Sequence, residues 1–269
     1  MQYPGLGSDR LLNDFSYANQ LSDLSERVDA SELKLSLKAF FEKLSLGVPL
    51  EFIIGESFFF DSYFYCSEKT LIPRSESEVL VEKVLEMGGD KTGLELLEIG
   101  TGTGCLAITV LRHLSGGAHH MTVTDISEDV IDLAKKNFYR HQYSMAKHEV
   151  DFSIGDRFSC LPLKQFDIIF SNPPYIPRGH RDRVHPKVLE FEPESALFVP
   201  AESPMLWFRE FFEGIKNHLA PGGEFIVELS EFLIEEVYTE MEAFLPELKC
   251  AIVDDLTGRK RFIKGSLSG

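Results

Sequence analysis

A chain of 269 residues with 43% hydrophobic and 26% charged residues can bury one sizeable core and a small second module, which excludes a disordered or fibrous class. Its formal net charge of -16 argues against duplex DNA as the main partner, because neutralising a run of phosphates takes a basic surface. Cys66, Cys105, Cys160 and Cys250 lie far apart, and the eight histidines have no acidic or cysteine partners at ligand spacing, so neither a disulfide framework nor a metal site is expected.

The N-terminal MQYPGLGSDR has no basic run followed by an apolar one, and no later stretch is apolar enough to span a bilayer. The expectation is a cytoplasmic protein. Residues 1–48 carry apolar side chains at helical spacing (Leu11, Leu12, Phe15; Leu21, Leu24, Val28; Leu33, Leu37, Phe40, Phe41, Leu44), with Ser31 as a candidate N-cap, and Gly47-Val48-Pro49 closes them. Such a stripe is either plain core or a module that positions a macromolecular substrate. Residues 49–70 follow, with Phe52-Ile53-Ile54, then Phe58-Phe59-Phe60, a polar break at Asp61-Ser62, and Tyr63-Phe64-Tyr65. Their β-branched and aromatic density predicts a hairpin linker.

Residues 71–269 open with Leu71-Ile72-Pro73-Arg74 and a helix from Ser75 to Met87 that ends at Gly88-Gly89. Strands then alternate with helices: strands near 94–99, 120–125, 149–154, 167–171, 223–229, 249–254 and 260–264, helices near 105–115, 127–140, 204–219 and 231–244. This alternation predicts an α/β domain with a doubly wound, Rossmann-like, mostly parallel sheet of seven strands. The link from Arg157 to Gln165 is too short for a full crossover helix, and Pro221-Gly222-Gly223 reads as a turn into the fifth strand.

Two strand ends carry the chemistry. Glu98-Ile99 runs into Gly100-Thr101-Gly102-Thr103-Gly104, where alternating glycines let the backbone turn sharply and approach a ligand while the next helix offers free N–H groups. The loop partly meets the dinucleotide fingerprint as well, and Asp125 ends the second strand about 20 residues downstream, where an acid grips ribose hydroxyls in either case. Glu98 suits a zwitterionic sulfonium better than a pyrophosphate. Asp156 stands at the end of the third strand, either as an acceptor for an adenine amino group or as an ordinary Gly-Asp turn.

The second is the end of the fourth strand, Asp167-Ile168-Ile169-Phe170-Ser171, which stops at Asn172-Pro173-Pro174-Tyr175. Each proline fixes φ and lacks an N–H, so the loop is stiff and rich in acceptors. The Asn172 side-chain oxygen and the Pro173 carbonyl could together hold both hydrogens of a planar –NH2 group. Tyr175 would offer an aromatic face to a flat substrate and an electron-rich wall near a cationic methyl donor. A nicotinamide enzyme has no evident use for such a loop, whereas an amino-methyltransferase using S-adenosylmethionine does. Arg178, Arg181, Arg183 and Lys187 follow directly, either as a solvated loop or as a docking segment.

With these residues the chain resembles the release-factor glutamine methyltransferases over nearly its whole length. Glu98-x-Gly100-x-Gly102-x-Gly104, Asp125-Ile126-Ser127 and Asn172-Pro173-Pro174-Tyr175-Ile176 are similar to the family's donor-binding and signature segments. So are Gly47-Val48-Pro49-Leu50 with Ile54-Gly55, Leu71 to Glu78, and Phe191-Glu192-Pro193 with Ala196-Leu197-Phe198. The resemblance implies a class I S-adenosylmethionine-dependent methyltransferase domain carrying a small N-terminal helical domain. It implies N5-methylation of the glutamine in the Gly-Gly-Gln loop of class I peptide-chain release factors. It also implies a donor site at Glu98, Gly100 to Gly104, Asp125, Asp156, Arg157 and Asn172, with Asn172, Pro173, Pro174 and Tyr175 on the substrate. Ser75-Glu76-Ser77-Glu78 departs from the family's usual Pro-Glu-Thr-Glu, the helical module is short, and Arg157 replaces a Trp that contacts the donor in many members. Rival readings are an amino-methyltransferase for adenine N6 or for a ribosomal-protein glutamine and, from another class, a donor-binding module without catalysis. The sequence leaves the oligomeric state open.

Overall fold

The computed structural model describes residues 37–162, 164–199 and 203–267. The chain divides into two units, Met1–Val48 and Pro49–Gly269. In the first, helix α1 (Leu37–Ser45) ends where Gly47 takes a left-handed φ of 83° and donates to the Leu44 carbonyl at 3.0 Å. The apolar repeat from Leu11 to Leu33 and the cap proposed at Ser31 lie outside the described residues.

The second unit starts with a correction. Phe52-Ile53-Ile54, expected to be extended, lies in a helical turn α2 (Leu50–Ile54). Pro49 presets φ at its entry and Gly55, at φ 76°, closes it by donating to the Glu51 carbonyl at 2.7 Å. Flanking punctuation outweighs the β propensity of the residues between. The hairpin follows as β1 (Glu56–Phe59) and β2 (Ser62–Tyr65), antiparallel with Phe59 opposite Ser62. It turns at Phe60, whose φ of 58° is accommodated because its N–H donates to Glu78 Oε1 at 2.9 Å. The hairpin is built into the core, since Phe59 and Phe64 are buried in one of the two main apolar clusters.

A 3-10 turn at Ser75–Ser77 leads into α3 (Glu78–Gly88). Strands β3 (Glu95–Ile99), β4 (His120–Asp125), β5 (Glu149–Ile154), β6 (Phe166–Ser171), β7 (Leu219–Glu228), β8 (Leu248–Asp254) and β9 (Lys260–Leu267) form one sheet in the order β5-β4-β3-β6-β7-β9-β8. The first five are parallel; β9 runs antiparallel to β7 and β8 to β9. Helices α4 (Cys105–His113), α5 (Glu128–His141), α8 (Pro204–His218) and α9 (Ile234–Phe244) fall where the periodicity placed them. No helix occurs among the described residues between β5 and β6. Pro221-Gly222-Gly223 belongs to β7 itself, as a register shift between the pairs Phe166–Leu219 and Ile168–Glu224, rather than to a separate turn.

Neighbouring strand residues serve opposite faces. Leu96, Ile168, Phe170 and Ile226 pack with α3, α4 and the hairpin, while Leu97, Ile169, Phe225 and Val227 pack with α8 and α9. Each fully buried side chain of this size contributes about 1.5–3 kcal/mol. The strand order reverses between β3 and β6, whose ends pair as Ile99 with Ser171, so the glycine loop and the Asn-Pro-Pro loop leave the sheet side by side.

The segment with Arg178, Arg181, Arg183 and Lys187, read as a solvated loop or a docking segment, holds further short elements: a 3-10 stretch at Arg178–Arg183, α6 (Pro186–Phe191) and α7 (Glu194–Leu197). Its two ends are tied by a parallel bridge, Ile176 N–H to Leu197 carbonyl at 3.0 Å and Val199 N–H to Ile176 carbonyl at 2.9 Å.

Candidate functional site

At the strand ends lies a cavity of about 530 Å³. Its lining joins Glu98 to Thr103, Thr124 to Ser127, Gly155 to Arg157 and Asn172 to Pro174. The sequence-predicted residues therefore converge, with two exceptions. Gly104 is a packing residue: at φ 80°, a Cβ there would stand 3.1 Å from the Phe138 ring. Tyr175 does not reach the lining; it packs against the cluster on the α8 side of the sheet, beside Glu228. That placement does not bring its ring to the cavity as the expected aromatic wall would require.

The glycine loop is fixed by its neighbours. Gly100 and Thr101 donate to the Thr124 carbonyl at 2.9 and 2.8 Å, and Gly102 donates to Asp125 Oδ2 at 3.2 Å. Asp125 Oδ1 accepts from Ser127 N–H at 3.1 Å, and burial raises the Asp125 pKa against these lowering hydrogen bonds. Gly100 and Gly102 take positive φ, and a Cβ on either would meet no protein atom within 4 Å, so their backbones form an open cradle facing the cavity.

Glu98 is fully buried. Its Oε2 accepts from the Thr101 hydroxyl at 2.7 Å, while Oε1 has no partner. Burial pushes its carboxyl up to about 8, with nearby Asp125 adding to the rise. A buried carboxylate with an unpartnered oxygen at the edge of a cavity is costly, and a cationic ligand group reaching it would relieve that cost.

At the far end, the Arg157 guanidinium reaches Asp156 at 3.2 Å and Glu210 at 3.1 Å, and lies 5.5 Å from the Trp207 ring centre. Arg157 itself has φ 52°. Trp207, the chain's single tryptophan, is buried in the wall beside Phe211. An indole is thus present at the site although position 157 holds arginine. It comes from α8, a helix whose apolar stripe gave no sign that one member would face a ligand cavity.

Asn172 donates through Nδ2 to Ser77 Oγ at 3.1 Å, and the Ser77 hydroxyl donates to Glu228 Oε2 at 2.7 Å. Sequence reasoning noted Ser77 only as part of the Ser75 to Glu78 segment, with no role at the site, and did not single out Glu228. The segment before α3 is also tied to the segment after the Asn-Pro-Pro loop, since the Ile72 N–H donates to Glu192 Oε2 at 3.2 Å and Arg74 pairs with Glu192. The Arg178 and Arg181 guanidiniums are engaged with Glu194 at 3.6 and 2.5 Å.

Comparison with known proteins gives this geometry a family. Residues 90–259 match a family described as "Methyltransferase domain". The chain is 33% identical over 220 residues to the release factor glutamine methyltransferase of Koribacter versatilis, covering 81% of this chain and 75% of that protein. It is 30% identical over 254 residues to the protein of the same name from Streptococcus pneumoniae, covering 94% and 88%. Among solved structures, the hMettl16 catalytic domain in complex with a MAT2A 3′UTR hairpin aligns with a TM-score of 0.61 at 15% identity, covering 98% of this chain and 96% of that one, a likeness of fold. The fold is that of the class I S-adenosylmethionine-dependent methyltransferases, and the open cradle, the unpartnered Glu98 oxygen and Asp125 suit that donor. The chain belongs to the release factor glutamine methyltransferase family, whose members use S-adenosylmethionine to methylate a protein glutamine.

Proposed function

We propose that this chain methylates the side-chain amide nitrogen of the glutamine in the Gly-Gly-Gln loop of class I peptide-chain release factors. The observation that carries the reading is the convergence of Asn172-Pro173-Pro174 with the glycine cradle on one cavity. When bound, the donor supplies a methyl carbon made electrophilic by its sulfonium. Glu98 would hold its ammonium, Gly100 to Thr103 its backbone-facing side, and Asp125 its ribose hydroxyls. Asp156, Arg157 and Trp207 close the end where an adenine would lie.

A carboxamide nitrogen is a poor nucleophile because its lone pair is conjugated. Asn172 Oδ1 and the Pro173 carbonyl accept its two N–H groups, orient the nitrogen, and meet the positive charge that grows on it during transfer. These acceptors are fixed before the substrate arrives, so little reorganisation is needed at the moment of reaction. The surplus proton leaves after transfer and requires no strong base beforehand. Residues 1–48 would help to position the release factor, a role tested by whether cross-links to it fall within that segment. No described helix is long and apolar enough to cross a membrane, and release factors as substrates imply a cytoplasmic site of action.

The test is to incubate the chain with donor and a class I release factor, and map the products by peptide mass spectrometry. One added methyl, about 14 Da, on the Gly-Gly-Gln glutamine is the expected result. Transfer to DNA adenine or to a ribosomal protein instead would replace this reading with one of its rivals. Donor binding without transfer to any of these acceptors would favour a binding module.

A further inference from the structure

The amide of Asn172 can do its proposed work only if it presents oxygen, not nitrogen, to the incoming substrate. The two ends of a carboxamide are nearly the same size, so shape alone does not choose between them. Asn172, Ser77 and Glu228 form a chain of hydrogen bonds that does. Glu228 closes β7 and is 2% exposed; Ser77, at the entry of α3, is 3% exposed. The Ser77 hydroxyl has one proton, and it is directed to Glu228 Oε2 at 2.7 Å. What remains on Ser77 Oγ is lone pairs, so it can only accept from Asn172, and it does so from Nδ2 at 3.1 Å. Oδ1 is then left for the cavity.

We propose that Glu228 and Ser77 are positioning residues for methyl transfer: the Glu228 carboxylate fixes the Ser77 proton, and Ser77 thereby fixes which face of the Asn172 amide meets the substrate. The inference rests on the catalytic role given to Asn172 above. It accounts for a carboxylate kept deep in the core by groups from several elements. Ser77 hydrogen-bonds it, Arg261 of β9 and Tyr175 favour its charged form, and Glu76 opposes its charge. Burial dominates and pushes the carboxyl up to about 7. Once protonated, Glu228 can donate to Ser77, whose own proton then turns towards Asn172 Oδ1 and permits the amide to flip. The sign follows: orientation is kept above the Glu228 pKa and lost as pH falls through it.

The test uses the full chain at saturating donor, so that titration of Glu98 on donor binding does not enter kcat. Wild-type kcat is expected to fall on the acid side with a midpoint near 7. Ser77→Ala and Glu228→Gln are each expected to lower kcat about 10- to 100-fold with donor Kd within about twofold of wild type, since small misplacements of a reacting group cost this much. Glu228→Gln should also lose the acid limb, Ser77→Thr should restore most of kcat, and the double variant should be little worse than either single one. A second readout needs no acceptor: in donor-loaded, nitrogen-15-labelled protein, one Asn172 side-chain N–H should exchange slowly with water, and Ser77→Ala should remove that protection. Wild-type kcat in Ser77→Ala, an acid limb that survives in Glu228→Gln, or equal exchange of Asn172 in both proteins overturns the proposal. Should wild type transfer nothing to a release factor, the functional reading fails, and the exchange measurement alone decides the positioning role.

Discussion

In the proposed mechanism, two side chains carry most of the chemistry. Replacing Asn172 with Ala removes an acceptor that matters most when charge develops on the substrate nitrogen, so turnover should fall about 10²–10³-fold. Donor affinity, measured by calorimetry, should change less than about fivefold, because the cradle at Gly100 and Gly102 is untouched. Glu98 governs the other half of the site. With its carboxyl pushed up to about 8 in the free protein, it is largely neutral at pH 7, and an ammonium placed against Oε1 would draw out its proton. Donor binding should therefore release protons at pH 7 and tighten roughly 50-fold between pH 6 and 8, following the linkage between proton and ligand. Titrations in buffers of different ionisation enthalpy would show the release. In Glu98→Gln both effects should vanish.

The elements that hold these residues are fastened by single buried groups. Asn137, on α5, is fully buried; it donates to the Thr103 carbonyl at 2.8 Å and the Tyr65 carbonyl at 2.9 Å, and accepts from the Tyr65 N–H at 2.7 Å. It thus clamps strand β2 and the glycine loop to one helix. Asn137→Leu fills a similar volume but leaves those backbone groups unpaired, and should cost about 3 kcal/mol by denaturant unfolding, given the penalty for burying unsatisfied groups. This clamp was invisible in the sequence, while the strands and both loops were plain in it. The difference is physical. Strand ends, glycine turns and prolines are local signals, whereas Ser77 meets Asn172 across 95 residues and Glu228 across 151. The same holds for Trp207, whose helical spacing indicated core and nothing about the cavity behind it. The helical turn at Leu50–Ile54 was misread because its flanking Pro49 and Gly55 received less weight than the aromatic and β-branched residues beside them.

Across the whole molecule, two of the acids that the fold buries are Glu98 and Glu228. Glu98 and Glu228 have folded pKa values of about 8 and about 7, both above the ordinary carboxylate value of 4.5. Between the ordinary value and the raised one, the unfolded chain has released a proton that the folded chain still holds. Stability from these two groups therefore falls as pH rises from about 4.5 to about 8, and is level beyond. Thermal melts should show a larger drop between pH 5.5 and 8 for wild type than for Glu98→Gln, and added donor should recover more of it at pH 8 than at pH 6. The bridge between Ile176 and Phe198 has a broader consequence. Because it cinches the neck of everything from Pro177 to Leu197, and Glu192 pins the returning limb to Ile72 and Arg74, the outer tip near Gly179 is a lariat end that can be lengthened, shortened or recharged while the limb beside the cavity stays anchored. Changes at that outer tip can accordingly accumulate in related chains while the strand ends beneath stay as they are.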